Sequence, residues 1–174
     1  MIDDVFEAIK TRRSVRAFLP EDIPDKVIAN VLEAAIWAPT AGNAQPWYFY
    51  VLRDEYLKKK LAEAALSQTF IAQAPVVIIV CADLDRAQAA YGKRGVELYC
   101  IQDCAAAVQN MLLCVHALGL AACWVGAFDE QAASDLLDLP RQHRPLAVVP
   151  IGRSGALTKN PGRRALDEVY SEID

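Results

Sequence analysis

Histidine is scarce in this sequence, with only His116 and His143, and no CxxC pair occurs. Transition-metal sites draw mainly on those residues, so the metal-centre reading is weak. Cys81, Cys100, Cys104, Cys114 and Cys123 are odd in number and mostly embedded in apolar runs. They read as small buried thiols, Cys100 and Cys104 included, rather than as a disulfide framework. Positive charge is not in excess either: the formal net charge is −4 and the pI near 5.2, which argues against a nucleic-acid binder. The longest uninterrupted apolar stretches, Ala74–Ala82 and Gly119–Phe128, are about half the roughly 20 residues of a membrane-spanning helix. No membrane span is expected. Met1–Lys10 lacks the basic-then-apolar pattern of a signal peptide, which together with the unpaired cysteines favours the cytoplasm. Repeats, low-complexity tracts and linkers are also missing, so residues 1–174 are expected to form one domain.

Apolar residues are abundant, at 54% of the 174-residue chain, above the roughly 45–50% usual for soluble proteins. A surplus of this kind is often buried between subunits; an unusually large core is the alternative. Ile2, Val5, Phe6 and Ile9 predict an amphipathic helix over residues 3–12. Pro24 opens a second helix that must end near Trp37, because Pro39 disfavours helical dihedrals before it. The polar loop Pro39–Pro46 leads to a strand, Trp47–Leu52, and Asp54 caps a third helix to about Leu66. Ala74–Ala82, rich in Val and Ile, suits a strand buried on both faces. Gly92 and Gly95 break the next segment, and Glu97–Leu118 forms a long helix apolar over most of its circumference. Leu120–Phe128 and Pro145–Ile151 read as strands, with a helix capped by Asp129 between them. The tail Leu166–Ile173 has the character of a short strand. This alternation gives an α/β or α+β domain.

Arg12, Arg13, Ser14 and Arg16 form the densest group of anion-binding side chains in an otherwise acidic chain. Guanidinium forks and a hydroxyl suit phosphate oxygens. A second pair, Arg163 and Arg164, lies near the other terminus. From the first cluster alone, a solvated helix end is the stronger account. The phosphate reading needs a companion that recognises the rest of a ligand, and Pro39-Thr40-Ala41-Gly42-Asn43-Ala44-Gln45-Pro46-Trp47 supplies a candidate. Its small residues permit close backbone approach to a flat molecule, and its amides can donate to and accept from a heteroaromatic edge.

The order Arg-Arg-Ser-Val-Arg (12–16), Ala-Pro-Thr-Ala-Gly-Asn-Ala-Gln-Pro-Trp (38–47), Leu-Gly-Leu-Ala-Ala-Cys-Trp-Val-Gly-Ala-Phe-Asp (118–129), Pro-Ile-Gly (150–152) and Arg-Arg-Ala-Leu-Asp-Glu-Val (163–169) resembles the nitroreductase family. The resemblance implies an α+β, three-layer α-β-α fold: a central mixed sheet flanked by helices, with a C-terminal strand exchanged across a homodimer. It implies FMN at the dimer interface and NADH or NADPH as electron donor. By the same resemblance, Arg12 and Ser14 would hold the FMN phosphate and ribityl chain. Arg13 would add a backbone or phosphate contact, and Arg16 would lie toward the N1/O2 edge of the ring. Pro39, Thr40, Asn43 and Gln45 would come from the other subunit. Gln68 would stand beside the pyrimidine ring, Gly126 and Ala127 near N5 and O4, and Arg163 or Arg164, with a slight preference for Arg164, would complete the phosphate clamp.

What the family chemistry implies is hydride transfer from NAD(P)H to flavin N5, then to a nitroaromatic, quinone or similar small-molecule electron acceptor, in ping-pong fashion. No side-chain nucleophile is required. The short segment 83–96 leaves room only for a small rim at Tyr91-Gly-Lys-Arg-Gly95 over an open pocket. Lys93 and Arg94 could meet a nucleotide phosphate there, although a solvated turn is the plainer account. Dehalogenation, flavin fragmentation, and flavin storage or sensing without turnover are alternatives on the same scaffold.

Overall fold

Helix α1 (Val5–Thr11) starts where the Asp4 side chain accepts a hydrogen bond from Phe6 N–H at 2.7 Å, in a computed structural model that describes residues 4–173. Ile2, part of the spacing that predicts this helix, and Asp3, its expected first residue, lie outside the described residues. The chain turns extended at Arg12, passes the two-residue strand β1 (Phe18–Leu19), and enters α2 (Asp25–Ile36) behind Pro24. β2 (Trp47–Leu52) has the bounds its sequence suggests. Asp54 then caps α3 (Glu55–Ala64) by accepting from Leu57 N–H at 2.8 Å, and a short α4 (Phe70–Gln73) follows. Beyond β3 (Val76–Asp83) come α5 (Leu84–Arg94), a π-helical turn (Gly95–Tyr99), α6 (Cys100–Ala117), β4 (Ala121–Ala122), α7 (Glu130–Leu136) and β5 (His143–Ser154). Asp129 caps α7, as expected.

The sheet runs β1-β5-β3-β2, with β4 also paired to β5. Its mixed character is slight: every ladder is antiparallel, and the parallel component is a single bridge between Ser14 and Ala122. Side chains of a strand alternate between faces, and both faces of β3 are covered. Val76, Ile78 and Val80 join Ile151 and Val149 against α2 and α6, while Val77 and Ile79 join Val148 against α3, α4 and α7. Val76 through Ala82 have no exposed surface at all. Burying each such Val or Ile contributes about 1.5–3 kcal/mol. Lys58 is buried too, its Nζ donating to the carbonyl of Ala74 at 2.8 Å, which ties α3 to the chain entering β3.

Three expectations change. Residues 83–96 are not a short rim but mostly a helix: Asp83 caps α5 by accepting from Arg86 N–H at 3.0 Å, Gly92 lies within it and Gly95 at its end. Gly92, at φ 55°, makes a kink, and a Cβ on Gly95 would overlap the Ala87 carbonyl, so glycine there permits close packing. The strand expected over Leu120–Phe128 reduces to β4 and one bridge from Val125 to Val148, because the chain beyond leaves the sheet to pack on the turn after α3. The tail Leu166–Ile173 is exposed and holds a 3-10 turn, Leu166–Glu168, instead of a strand, and it pairs with no strand of its own chain.

The helical run Leu84–Ala117 is long and apolar enough to cross a membrane by composition. In this fold it is a core helix: Cys104, Val108, Met111 and Val115 are buried within the layer that α2 shares with the sheet.

Candidate functional site

The arginine arm is shaped by how α1 ends. Arg12 takes ψ 133°, so the chain is extended from there on, and Val15 N–H donates to the Ala122 carbonyl at 3.0 Å. With a period of two, Val15 points into the core while Ser14 and Arg16 face outward on the side of Arg12. Arg12 is half-buried, and its Nη1 is fully buried without a hydrogen-bond partner. Its pKa is lowered by desolvation first, then by the charges of Arg163 and Arg13. A guanidinium does not deprotonate in proteins, so the lowering measures an unrelieved cost: a cation partly out of water, faced by other cations, with a donor unused. Arg163 comes from the far end of the chain. Of the C-terminal pair it is the one whose charge acts on Arg12, since Arg164 is engaged with Glu168 at 3.3 Å. Arg13 differs from its neighbours: its Nη1 donates to the carbonyls of Lys10 at 2.7 Å and Arg12 at 2.9 Å, closing the end of α1.

The chain after β4 starts beside this arm and leads to the other backbone groups proposed from sequence. Cys123 lies beneath Ser14, its thiol pKa raised chiefly by burial, which leaves it a protonated floor and no nucleophile. Gly126 and Ala127 are exposed, and a Cβ on Gly126 would meet only the Trp124 indole nitrogen at 3.8 Å, so a ligand can approach that backbone. Gln68 belongs here as well: its Nε2 donates to the carbonyls of Ala127 at 3.0 Å and Ala65 at 2.8 Å. Leu66 and Ser67 beside it have φ of 56° and 57°, a left-handed pair that turns the chain toward residues 126–129.

The loop 39–46 is held tightly and elsewhere. Gly42, Asn43 and Gln45 have φ of 52°, 57° and 52°, conformations that persist when surrounding contacts over-determine them. Thr40 Oγ1 accepts from Gln45 N–H at 3.2 Å, and Gln45 Nε2 donates to Asn43 Oδ1 at 3.0 Å. Arg86 of α5 donates to the Ala44 carbonyl, the Tyr91 hydroxyl fills the space where a Cβ on Gly42 would sit, and Asp103 of α6 accepts from Ala41 N–H at 3.1 Å. None of Arg86, Tyr91 and Asp103 carried a sequence signal for this role. Pro39, Asn43 and Gly42 are exposed. The rim charges are locally satisfied: Lys93 pairs with Glu97 at 3.6 Å, and Arg94 donates to the Tyr99 hydroxyl at 2.8 Å.

Helix α6 separates the two halves. Asp103 holds the loop at one end, and at the other His116 Nε2 lies 2.8 Å from Thr11 Oγ1, next to the arm. Those residues are thirteen positions apart, about 20 Å along a helix. The structure therefore brings Arg12 and Arg163 together beside Ser14 and Arg16, joins Gln68 to the Ala127 backbone, and holds Pro39, Thr40, Asn43 and Gln45 in a separate loop. His116 is shifted downward in pKa by burial and by Arg12 and Arg13, and His143 accepts or donates to Tyr50 Oη at 2.6 Å under a stacked Tyr48. His116 lines a cavity together with Arg12 and Arg13, whereas His143 is engaged with the two tyrosines. Among the described residues no group of three or more acidic, His or Cys side chains is arranged to hold a metal.

Comparison with known proteins bears on family and fold. A model of the nitroreductase family matches residues 9–71 and 64–153. A Methanothermobacter thermautotrophicus protein provisionally named as an NADH dehydrogenase/NAD(P)H nitroreductase is 35% identical over 176 residues, covering 97% of this chain and 87% of its own. A Bacillus subtilis protein named FMN reductase, with NAD(P)H, is 29% identical over 164 residues, covering 87% of this chain and 66% of its own. The solved structure of NfrA2 from B. megaterium superposes with a TM-score of 0.91 over 99% of this chain and 75% of that one; at 24% identity it establishes likeness of fold.

Proposed function

The chain belongs to the nitroreductase family, and from that premise we propose that it is an FMN-dependent NAD(P)H oxidoreductase acting on small electrophiles such as nitroaromatics or quinones. The observation that carries the reading is Arg12. A half-buried guanidinium with an unused buried donor, opposed by Arg163 from the other end of the chain, is relieved by an anion placed between them. A phosphate monoester meets that need, and Ser14 adds a hydroxyl on the same side. Bound FMN would supply the hydride chemistry between nicotinamide and acceptor.

The chain's own residues bind, orient and bias that chemistry. Arg16 takes part in none of the ion pairs formed among the described residues, so its charge is available to offset negative charge on the pyrimidine edge of a reduced ring. Gln68 braces the Ala127 carbonyl and keeps the 126–127 backbone in place beside the ring. One open site serves reductant and acceptor in turn, which is the basis of ping-pong kinetics.

Two chains complete the site in this reading. The loop and the arm of one chain are held about 20 Å apart along α6, yet both suit a single cofactor. A two-fold axis that sets α6 antiparallel to its mate brings one chain's loop to the other's arm. Ile101, Ala105 and Leu113 leave an incompletely covered apolar stripe on α6, interrupted by the exposed Gln109, for such a contact. Phe6 and Trp37, 68% and 79% exposed, extend it. The exposed tail Leu166–Ile173 would then exchange onto the partner's sheet. All five cysteines are free, which suits a cytoplasmic setting.

An absorbance spectrum of the purified protein with FMN, repeated after anaerobic NADH, NADPH and then a quinone, tests the proposal. Bleaching by a nucleotide and recovery with the quinone is the expected result. A yellow protein that neither nucleotide reduces would instead be a flavin store, and a colourless protein after FMN addition would refute the cofactor.

A further inference from the structure

We propose that Asp103 is a positioning residue whose buried carboxylate sets the conformation of the loop 39–46, and through it the grip on the flavin ring. The second half rests on the reading of this loop as a flavin contact; the first does not. Asp103 is 6% exposed on an α6 face otherwise made of Cys100, Cys104, Ala107, Val108 and Met111. A carboxylate in such surroundings is unfavourable unless hydrogen bonds compensate it. It accepts one, from Ala41 N–H at 3.1 Å, and its Oδ2 is buried with no partner. No packing need explains an acid here, because an apolar side chain of the same shape would fill the space without the desolvation cost.

What the acid supplies is an anchor for a strained loop. Ala41 opens the 3-10 turn Ala41–Asn43, and its N–H is one of the free donors at the start of such a turn. From that fixed amide the chain runs through Gly42, Asn43 and Gln45, all left-handed. The remaining ties, from Thr40 and Arg86 and the Tyr91 hydroxyl, are partly exposed or belong to the loop itself. Asp103 is the deeply buried one. It spans 62 residues of sequence and fixes the loop to the same helix that fixes the arm, so the spacing of the two half-sites passes through this hydrogen bond.

Asp103→Leu removes the acceptor and keeps the shape; Asp103→Asn keeps an acceptor for Ala41 and removes the charge. Hydrogen exchange of the 40–45 amides is measured in FMN-free protein, together with melting temperature and FMN affinity by fluorescence titration. Asp103→Leu is expected to melt at or above the wild-type temperature, while its loop amides exchange at least tenfold faster and FMN affinity falls at least tenfold. Asp103→Asn is expected to stay within about threefold of wild type on both. Wild-type exchange in Asp103→Leu, or an Asp103→Asn variant as impaired as Asp103→Leu, overturns the positioning role. A lower melting temperature in Asp103→Leu in step with the loss of FMN affinity reduces the residue to a structural one and overturns it equally. If exchange responds as stated but none of the three proteins binds FMN, the flavin assignment of the loop fails and the anchoring stands.

Discussion

Arg12→Met separates the arginine's two energetic roles, because they have opposite signs. The substitution keeps an apolar stem of similar length and removes the guanidinium. In the FMN-free protein Arg12 is partly desolvated and repelled by Arg163 and Arg13, with a buried donor unused. Relief of that repulsion is of the order of exposed charge pairs, roughly 0.2–1 kcal/mol, which for a chain of this size raises the melting temperature by up to about 2–4 °C. In the proposed FMN complex the same guanidinium would make charge-assisted hydrogen bonds to phosphate, each contributing about 1.5–3 kcal/mol. Loss of one such bond would weaken FMN binding by about 10- to 150-fold. Arg12→Lys, which retains charge without the planar fork, is expected to fall between. Scanning calorimetry without FMN and fluorescence titration with it read the two quantities independently. A variant that is destabilised without FMN yet binds it as tightly as wild type would show that Arg12 holds the fold and not an anion, and the reasoning would fail.

Three other perturbations probe separate parts of the structure. His116 sits beside Arg12 and Arg13, and its pKa is lowered by burial first and those charges next; the folded state therefore disfavours its protonation, and stability present above about pH 6.5 is lost as pH falls below that value. Inorganic phosphate or FMN bound at Arg12 should raise the His116 pKa in an NMR titration, and an unmoved resonance would place the anion elsewhere. Gly42→Ala should destabilise the protein by roughly 1–3 kcal/mol, since its Cβ overlaps the Tyr91 hydroxyl and φ is 52°; adding Tyr91→Phe should recover the steric part only, and full recovery in thermal melts would show that φ strain is negligible there. Ile101→Arg, on the stripe of α6 left open by the single chain, should yield monomers in sedimentation and lose FMN at the same time, whereas a monomer that still binds FMN tightly would mean that one chain suffices.

The parts legible in sequence are those where one local rule dominates. The Val- and Ile-rich run at 74–82 can only be a strand covered on both sides, and it lies at the centre of the sheet as β3. Asp54 and Asp129 cap helices because a short acidic side chain before an apolar-periodic run has few better uses. The same signal at Asp83 was masked by Gly92 and Gly95, which read as breakers. One serves a kink and the other a close approach, and neither use is visible without the packing partner, Ala87. β1 and β4 are two residues long, too short for alternation to register. The arm 12–16 was legible through its charge, but Arg13 was not distinguishable from Arg12 until the end of α1 showed which carbonyls it closes. Asp103 gave no warning: within a helix read as apolar on most sides, a lone acid looks like a surface residue, and its donor lies 62 positions away.

These observations make α6 more than a core helix. The arm is fastened to its C-terminal end through Thr11 and His116, and the loop to its N-terminal end through Ala41 and Asp103. A rigid helix transmits position along its axis, so in the proposed dimer each chain would present two half-sites at a fixed separation of about 20 Å, and neither alone would hold a ring and a phosphate together. Sites built in this way depend on the register of one helix against its mate: a slip by a single turn moves a loop about 5.4 Å relative to the facing arm, more than a hydrogen bond tolerates. If the proposed dimer holds, a bulkier side chain at a position such as Ala105 would spread the two helices apart and disturb that register.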